Sequence, residues 1–269
     1  MSLTALLDAD LIAYRCSATC EDFDTAEVAI DRCNYLTEQI IHASNSDAYT
    51  LYLTGSENFR KKIYPEYKAN RKDKPRPKWL QACREFLVTD WQAQVCDGIE
   101  ADDAMGINQT EDTIICSLDK DMLQVPGYHY NWVRDETTFI TPERGLYNFW
   151  MQTIVGDVAD NITGIRGLGP VKAARLLDPL ASVEYEDGLE ESDLVYYNFI
   201  RELYNDDTRL HTNAKCLWIL REENGIWLTP GERARKNAME TMISEDIALD
   251  LSSLSPKLLN QTDLPLTTN

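Results

Sequence analysis

The chain is poor in the features that would place it in several large classes. Its longest apolar runs, such as Leu6-Leu7 and Thr153-Ile154-Val155, fall far short of the roughly 20 residues that a bilayer crossing needs. The start Met1-Ser2-Leu3-Thr4 has no basic stretch and leads into Asp8 and Asp10, so neither a secretory nor a transit leader is expected. Seven cysteines without a CxxC pair fit a reducing compartment, and Cys16, Cys20 and Cys33 read as ordinary thiols rather than metal ligands. The three histidines, His42, His129 and His211, are scattered and read as structural or surface groups. Glycine (12) and proline (10) are too few for a collagenous chain, and 43% hydrophobic residues are too many for a wholly disordered one. Positive charge is scarce: 26 Lys and Arg stand against 45 Asp and Glu, a net −19. As a whole-chain sum, that argues against nucleic acid or an anionic membrane as partner.

What is present is a folding pattern with two strong charge features. The 269 residues suffice for one large domain, or for a core with a smaller companion. Segments 3–8, 48–53 and 113–116 are short, apolar and β-rich, as buried parallel strands are, and Gln92 to Cys96 reads as a further strand. Between the first two, Ala26, Ala29, Ile30, Cys33, Leu36, Ile40 and Ile41 recur at helical spacing. The alternation predicts an α/β fold with a doubly wound, mainly parallel sheet. Past Pro142, helical patterns take over, at Leu146 to Ile154, Lys172 to Leu177 and Leu194 to Tyr204. The acid-rich stretch Glu184 to Asp193 reads as a solvated loop, and Leu251 to Asn269 as a loosely held tail.

Acids recur where the strands of such a sheet should end. Asp8 closes the first strand, Glu100, Asp102 and Asp103 open the helix after the fourth, and Asp119 and Asp121 follow Cys116; Asp157 and Asp160 add two more. Capping of helix N-termini explains several of these singly. Convergence of eight carboxylates on one rim is different, because like charges at close quarters repel unless cations sit among them. Carboxylates without histidine or thiolate select Mg²⁺ or Mn²⁺, and two such ions about 3.5–4 Å apart can activate water and stabilise a leaving oxygen in phosphodiester cleavage. The spacing places Asp157 and Asp160 on one helical face, and Asp119 and Asp121 on one side of an extended segment. The second charge feature is basic. Residues 60–78 hold nine Lys and Arg but only two acids, interleaved with Tyr64, Tyr67 and Trp79, a combination suited to single-stranded nucleic acid.

The ordered segments Asp8 with Arg15, Tyr67-Lys68-Ala69-Asn70-Arg71, Glu100-Ala101-Asp102-Asp103, Ser117-Leu118-Asp119-Lys120-Asp121, Gly156-Asp157-Val158-Ala159-Asp160-Asn161 and Gly164-Ile165-Arg166-Gly167-Leu168-Gly169 resemble the motifs of the flap endonuclease and 5′→3′ exonuclease family. Phage-type members are the most similar. The resemblance covers about residues 3 to 178. It implies a PIN-like nuclease core over 1–155, with an arch or gateway at about 60–90, followed by a helix-hairpin-helix at about 156–178 in a mainly helical region to 269. It further implies two Mg²⁺ or Mn²⁺ ions, with Glu100, Asp102, Asp119 and Asp121 as principal ligands, Asp8 and Asp157 as outer ones, and Asp103 and Asp160 in support. Lys68, Arg71 and Arg15 match cations that hold the scissile phosphate. DNA contacts are expected from Tyr67, Lys72, Lys74 and Arg76 in the arch, and from Gly164, Gly167, Gly169, Lys172 and Arg175 in the hairpin, where relatives often bind K⁺.

The implied activity is Mg²⁺-dependent hydrolysis of DNA near free 5′ ends. The implied partners are duplex or 5′-flap DNA, with RNA–DNA hybrid and replication proteins as further candidates, for a monomer in the cytoplasm, that of the host if the chain is phage-encoded. One position departs from the pattern: many relatives carry an acid just after the second strand, where this chain has Gly55. Two rival readings are a PIN-type ribonuclease and a DNA-binding structural protein with a degenerate site.

Overall fold

The computed structural model describes residues 3–20, 24–72, 74–183 and 188–241. Its first half alternates strands and helices as their apolar periodicities demand: β1 (Thr4–Asp8), α1 (Ala9–Ala18), α2 (Ala26–Ala43), β2 (Ala48–Asn58), α3 (Phe59–Ile63), α4 (Leu80–Thr89), β3 (Gln94–Gly98), α5 (Ala101–Asn108) and β4 (Thr113–Cys116). A hairpin of β5 (Gly127–Asn131) and β6 (Glu136–Ile140) completes one sheet in the order β3-β2-β1-β4-β5-β6. All neighbours pair parallel except β5 and β6. The doubly wound, mainly parallel sheet is therefore as expected. Two boundaries differ: β3 starts at Gln94 rather than Gln92, which turns with φ +56°, and the β5–β6 hairpin adds strands beyond those read from the sequence.

Strand alternation sorts the core. Ala5 and Leu7 face one side with Ile12, Cys33, Ile40 and Leu87, and Leu6 faces the other with Met105, Ile115 and Met122. All seven cysteines are free, and Cys16, Cys33 and Cys83 are buried in the first of these cores. Because the chain leaves β1 toward β2 and β3 and later returns to its other side at β4, the ends of β1 and β4 flank a switch point, where an open α/β sheet makes its ligand crevice.

The second half is helical: α6 (Pro142–Val155), α7 (Pro170–Ala181), α8 (Gly188–Tyr204) and α9 (Asp207–Leu217), with a two-strand bridge, β7 (Gly156–Asp157) and β8 (Ile162–Thr163), between α6 and α7. Phe149 and Trp150 of α6 share one core with Ala173, Ile200 and Leu210 of the following helices. No division falls at residue 155; Met1–Trp227 forms one compact unit. A second unit begins at Leu228, and within it residues 230–241 are helical. The acidic stretch expected as a solvated loop is corrected where it is described. Gly188 opens α8, and Asp193 is buried there because its carboxylate accepts the Trp150 indole N–H at 2.8 Å. Residues 184–187 and the expected tail 251–269 lie outside the described residues. No helix among the described residues is long and apolar enough to cross a membrane.

Candidate active site

Asp8 ends β1 and caps α1, so its carboxylate is fixed from both sides: Oδ1 accepts Leu11 N–H at 3.0 Å, and Oδ2 accepts the Ser117 hydroxyl at 2.8 Å. Ser117 Oγ in turn accepts Asp119 N–H at 3.1 Å, tying the ends of β1 and β4 together across the switch point. Asp119 caps a 3₁₀ helix, Lys120–Gln124, and accepts Asp121 N–H at 2.9 Å. The expected extended segment is therefore a tight turn, in which the 119 carboxylate serves its own backbone. A second correction concerns Asp157 and Asp160. Asp157 ends β7 and Asp160 lies in the turn that follows, rather than both on a helix, with Asp157 Oδ1 accepting Ala159 N–H at 2.6 Å and Asp160 N–H at 3.2 Å.

Burial and mutual charge govern the acids. Burial, with the Asp10 and Asp119 charges, pushes the Asp8 carboxyl up to about 7 against its two hydrogen bonds. Burial together with Asp8, Asp119 and Glu100 pushes Asp102 well above the usual carboxylate range, and Asp102 accepts no hydrogen bond among the described residues. Asp121 rises to about 8 through burial and the Asp119 charge, and shares a hydrogen bond with Asp157, which is held low. Among the described residues, no three acidic, cysteine or histidine side chains close around a common point as a finished metal cage does. The donor set nonetheless fits a hard cation. It is all carboxylate oxygen, and the Asp119 charge raises the cost of ionising Asp8, Asp102 and Asp121, offset by Lys68 at Asp102 and by Lys120 at Asp121.

The basic segment lies against the opposite flank. Lys68 adopts φ +56°, a left-handed conformation uncommon for a residue with a Cβ, and its backbone N–H reaches Asp160 O at 3.0 Å. Its ammonium hydrogen-bonds to Glu100 Oε1 and lies 3.7 Å from Asp160 Oδ2. Arg71 follows in the 3₁₀ turn Ala69–Arg71 and donates to Asp160 Oδ1 at 2.7 Å and to Ala159 O at 3.0 Å. Burial alone would raise the Glu100 carboxyl, but Lys68 and Arg60 outweigh it and hold Glu100 below its ordinary value.

Three residues play other parts than expected. Asp103 is fully buried; it accepts two bonds from Arg60 at 2.6 and 2.7 Å, one from Leu220 N–H at 3.1 Å and one from Glu100 N–H at 3.0 Å. No lone pair is left for a metal, so Asp103 acts by holding Glu100 in a capping box. Arg60, counted from sequence with the DNA-facing cations, is 2% exposed and is spent on this pair and on the carbonyls of Cys216 and Trp218. Tyr67 is no stacking platform. It is 3% exposed, and its single phenolic proton lies between Glu100 Oε2 at 2.9 Å and Asp160 Oδ2 at 2.7 Å.

The remaining expected residues are placed more loosely. Arg15 is exposed in the last turn of α1, and Lys72, Lys74 and Arg76 are exposed beyond the 3₁₀ turn, on a path that Pro75 and Pro77 keep out of helix. In the hairpin, Gly164 packs against α6 so closely that a Cβ would stand 2.3 Å from Ile154 O, Gly167 turns with φ +82°, and Gly169 caps α7. The element before the hairpin is the β7–β8 bridge rather than a helix. The Lys172 ammonium bonds Gly167 O at 3.0 Å, and Arg175 is exposed on α7. Sequence reasoning missed Arg84, which binds the Asp10 carboxylate and donates to Thr54 O at 2.6 Å, while Asp10 accepts Thr54 N–H at 2.8 Å. A lone arginine in a helix gives no signal of this. Gly55 has a steric reason: a Cβ there would stand 2.5 Å from Cys96 O and 2.2 Å from the Asp97 carboxylate.

Residues 4–149, more than half of the chain, match the family described as 5′-3′ exonuclease, N-terminal resolvase-like domain. The chain is 30% identical over 183 residues to DNA polymerase I of Rhizobium leguminosarum, a stretch that is 56% of this chain but 17% of that protein. It is 27% identical over 203 residues to a 5′-3′ exonuclease of Buchnera aphidicola subsp. Schizaphis graminum, covering 66% of this chain and 71% of that one. Among solved structures, the T5 D15 protein co-crystallised with metal ions shares the fold, with a TM-score of 0.60 at 15% identity over 80% of this chain and 89% of that one. The family match contains Asp8, the basic segment and the acids from Glu100 to Asp121, and it agrees with the parallel sheet that brings them to one rim. The chain belongs to the 5′-3′ exonuclease family defined by this N-terminal resolvase-like domain.

Proposed function

We propose that this chain is a Mg²⁺-dependent 5′ nuclease that hydrolyses DNA phosphodiesters near free 5′ ends, by exonucleolytic or flap cleavage. The observation that carries this reading is the juxtaposition, at the switch point of the sheet, of carboxylates that resist ionisation together with Lys68 and Arg71 on the flanking acids. Asp8, Glu100, Asp102, Asp119, Asp121 and Asp157 are the residues that would hold divalent cations. Two such ions supply a deprotonated water and charge stabilisation at the leaving oxygen.

The chain's own groups do the rest. Lys68 and Arg71 are parked on Glu100 and Asp160, and a substrate phosphate competes with those carboxylates for the same ammonium and guanidinium. Their transfer to phosphate neutralises charge that builds on its oxygens during displacement. Tyr67 holds Glu100 and Asp160 at a fixed separation through one shared proton, so freeing the two cations does not let the two acids drift apart. Lys72, Lys74 and Arg76 extend the cationic path, and the α7 N-terminus with Gly167 and Gly169 offers backbone N–H groups to a duplex phosphate.

The test is cleavage of labelled 5′-flap and blunt DNA, with matched RNA strands alongside, by the full chain in Mg²⁺. Loss of even an outer partner of a metal ligand typically costs about 10–100-fold, so Asp121→Asn should cost more than that. Full activity in Asp121→Asn would sink the metal assignment. Hydrolysis of RNA in preference to DNA would replace this reading with the ribonuclease one.

A further inference from the structure

A cavity of about 480 Å³ opens between the basic segment, the β7–β8 turn and α9. Its volume lies within the range of sites that hold a small organic ligand. Asn70, Val158, Asn161, Ile165, Arg166 and Arg209 face it. In a chain with 45 acids and 26 bases, two arginines and no acid among the described residues that line it make an exception. Neither guanidinium is engaged by a hydrogen bond or an ion pair among the described residues. Arg209 is held only by its cation–π contact, 4.9 Å above the Tyr204 ring. By contrast, Arg60 is engaged with Asp103, Lys68 with Glu100 and Arg71 with Asp160. Val158 supplies apolar surface at the mouth and is 89% exposed, although its carbonyl is fixed by the Asn70 amide at 2.7 Å. Asn161 is likewise fixed, through Glu66 O at 2.8 Å. The amides are thus ordered, and the arginines are free.

We infer that this cavity is a nucleotide subsite, in which Arg166 and Arg209 bind a phosphate of the strand being processed while Val158 and Ile165 contact its sugar or base. Arginine is suited to the phosphate because its planar fork donates two parallel bonds to one anion. The inference rests on the nuclease reading for the identity of the ligand, a DNA strand, but not for the binding itself. The phosphate is either a terminal 5′-phosphate or an internal diester, and both have the chemistry that the two forks recognise.

The experiment measures, by fluorescence anisotropy in EDTA, the affinity of the full chain for one labelled duplex with either a 5′-phosphate or a 5′-hydroxyl. Arg209→Gln and Arg166→Gln should each weaken binding by about 5-fold or more, Arg209→Lys should recover part of the loss, and Arg201→Gln, which removes a surface cation outside the cavity, serves as control. Equal losses on both duplexes assign an internal phosphate; a loss confined to the phosphorylated duplex assigns the terminal one. Unchanged affinity in both glutamine variants overturns the subsite. Cleavage in Mg²⁺ is scored separately. A wild-type chain that binds through these arginines yet never cleaves refutes the nuclease reading alone, and an active enzyme indifferent to both substitutions refutes the subsite alone.

Discussion

Asp8, Asp102 and Asp121 hold their protons more tightly in the folded chain than a free carboxylate does, because Asp8 is buried, Asp102 and Asp121 are partly so, and all three stand beside other acids. That has a consequence for stability whose sign can be worked out. A group whose folded value is raised binds more protons when native than when unfolded, so its contribution is complete below the unfolded value of about 3.9 and is lost as pH rises through the folded one. Glu100 and Asp157 are shifted the other way, but they have finished titrating below the ordinary carboxylate range. Between that range and about pH 6.5, burial of His129, which holds its imidazole below the ordinary value, adds stability as pH rises; above about 6.5 the raised acids act unopposed by it, with Asp8 at about 7 and Asp121 at about 8. In EDTA, the melting temperature should therefore fall as pH is raised from about 6.5 to about 8. Mg²⁺ should reduce that fall, since a bound cation offsets the same repulsion and binds the folded state alone. Thermal unfolding across that range with and without Mg²⁺ checks both statements. A metal-free melting temperature that climbs with pH would mean that these acids are not the coupled cluster described.

At the scale of elements, the site is a junction rather than a loop motif. The Arg60–Asp103 pair joins α3 to α5, and through Leu220 N–H and two carbonyls it also joins both to residues 216–220, well past the family match. Removing one partner leaves the other charge buried and unpaired, which typically costs about 3–5 kcal/mol. Arg60→Met and Asp103→Leu should each lose about that much in denaturant unfolding, and the double variant should recover a large part. Cleavage should not recover with it, because the capping box that orients Glu100 depends on the 103 carboxylate. A fully active double variant would limit the pair to a packing role.

This junction also marks where sequence reading stopped. Asp8, Asp119 and Asp121 were legible because an acid at the end of an apolar β-rich run has one place to go in a parallel sheet. Asp103 was not, since a helix-capping acid and a metal-facing acid look alike in the string Glu100-Ala101-Asp102-Asp103, and only the partner 43 residues away decides between them. Tyr67 was misread for a related reason. An aromatic among lysines suggests a stacking surface, whereas here the chain turns through Lys68 and carries the ring inward. The i, i+3 spacing of Asp157 and Asp160 fits a helical face and a side-chain-capped turn equally well, and the glycine at 156, with φ +76°, selects the turn.

For the whole molecule, the net −19 hides a division of labour. Acids at the rim answer to cations, and the cations that answer to phosphate are gathered on one segment. Not all of the nine bases in residues 60–78 are available. Arg60 is buried, and Lys68 and Arg71 are engaged with acids, while Lys61, Lys62, Lys72, Lys74 and Arg76 are exposed. Outside this segment the sequence is strongly acidic, which repels a duplex that strays from this path. Each phosphate neutralised on binding contributes about −0.9 to the slope of log K against log salt for a duplex. If these five exposed cations dominate, five phosphates set the slope at about −4.5. The measurement is binding of an uncleaved duplex in EDTA over a salt series. Lys72→Ala and Lys74→Ala should each flatten the line by about one unit, with little dependence on base sequence, because these side chains meet backbone phosphate. A slope as steep as about −10 would require many more cations than this segment exposes, and would mean that the duplex lies along a different face of the molecule.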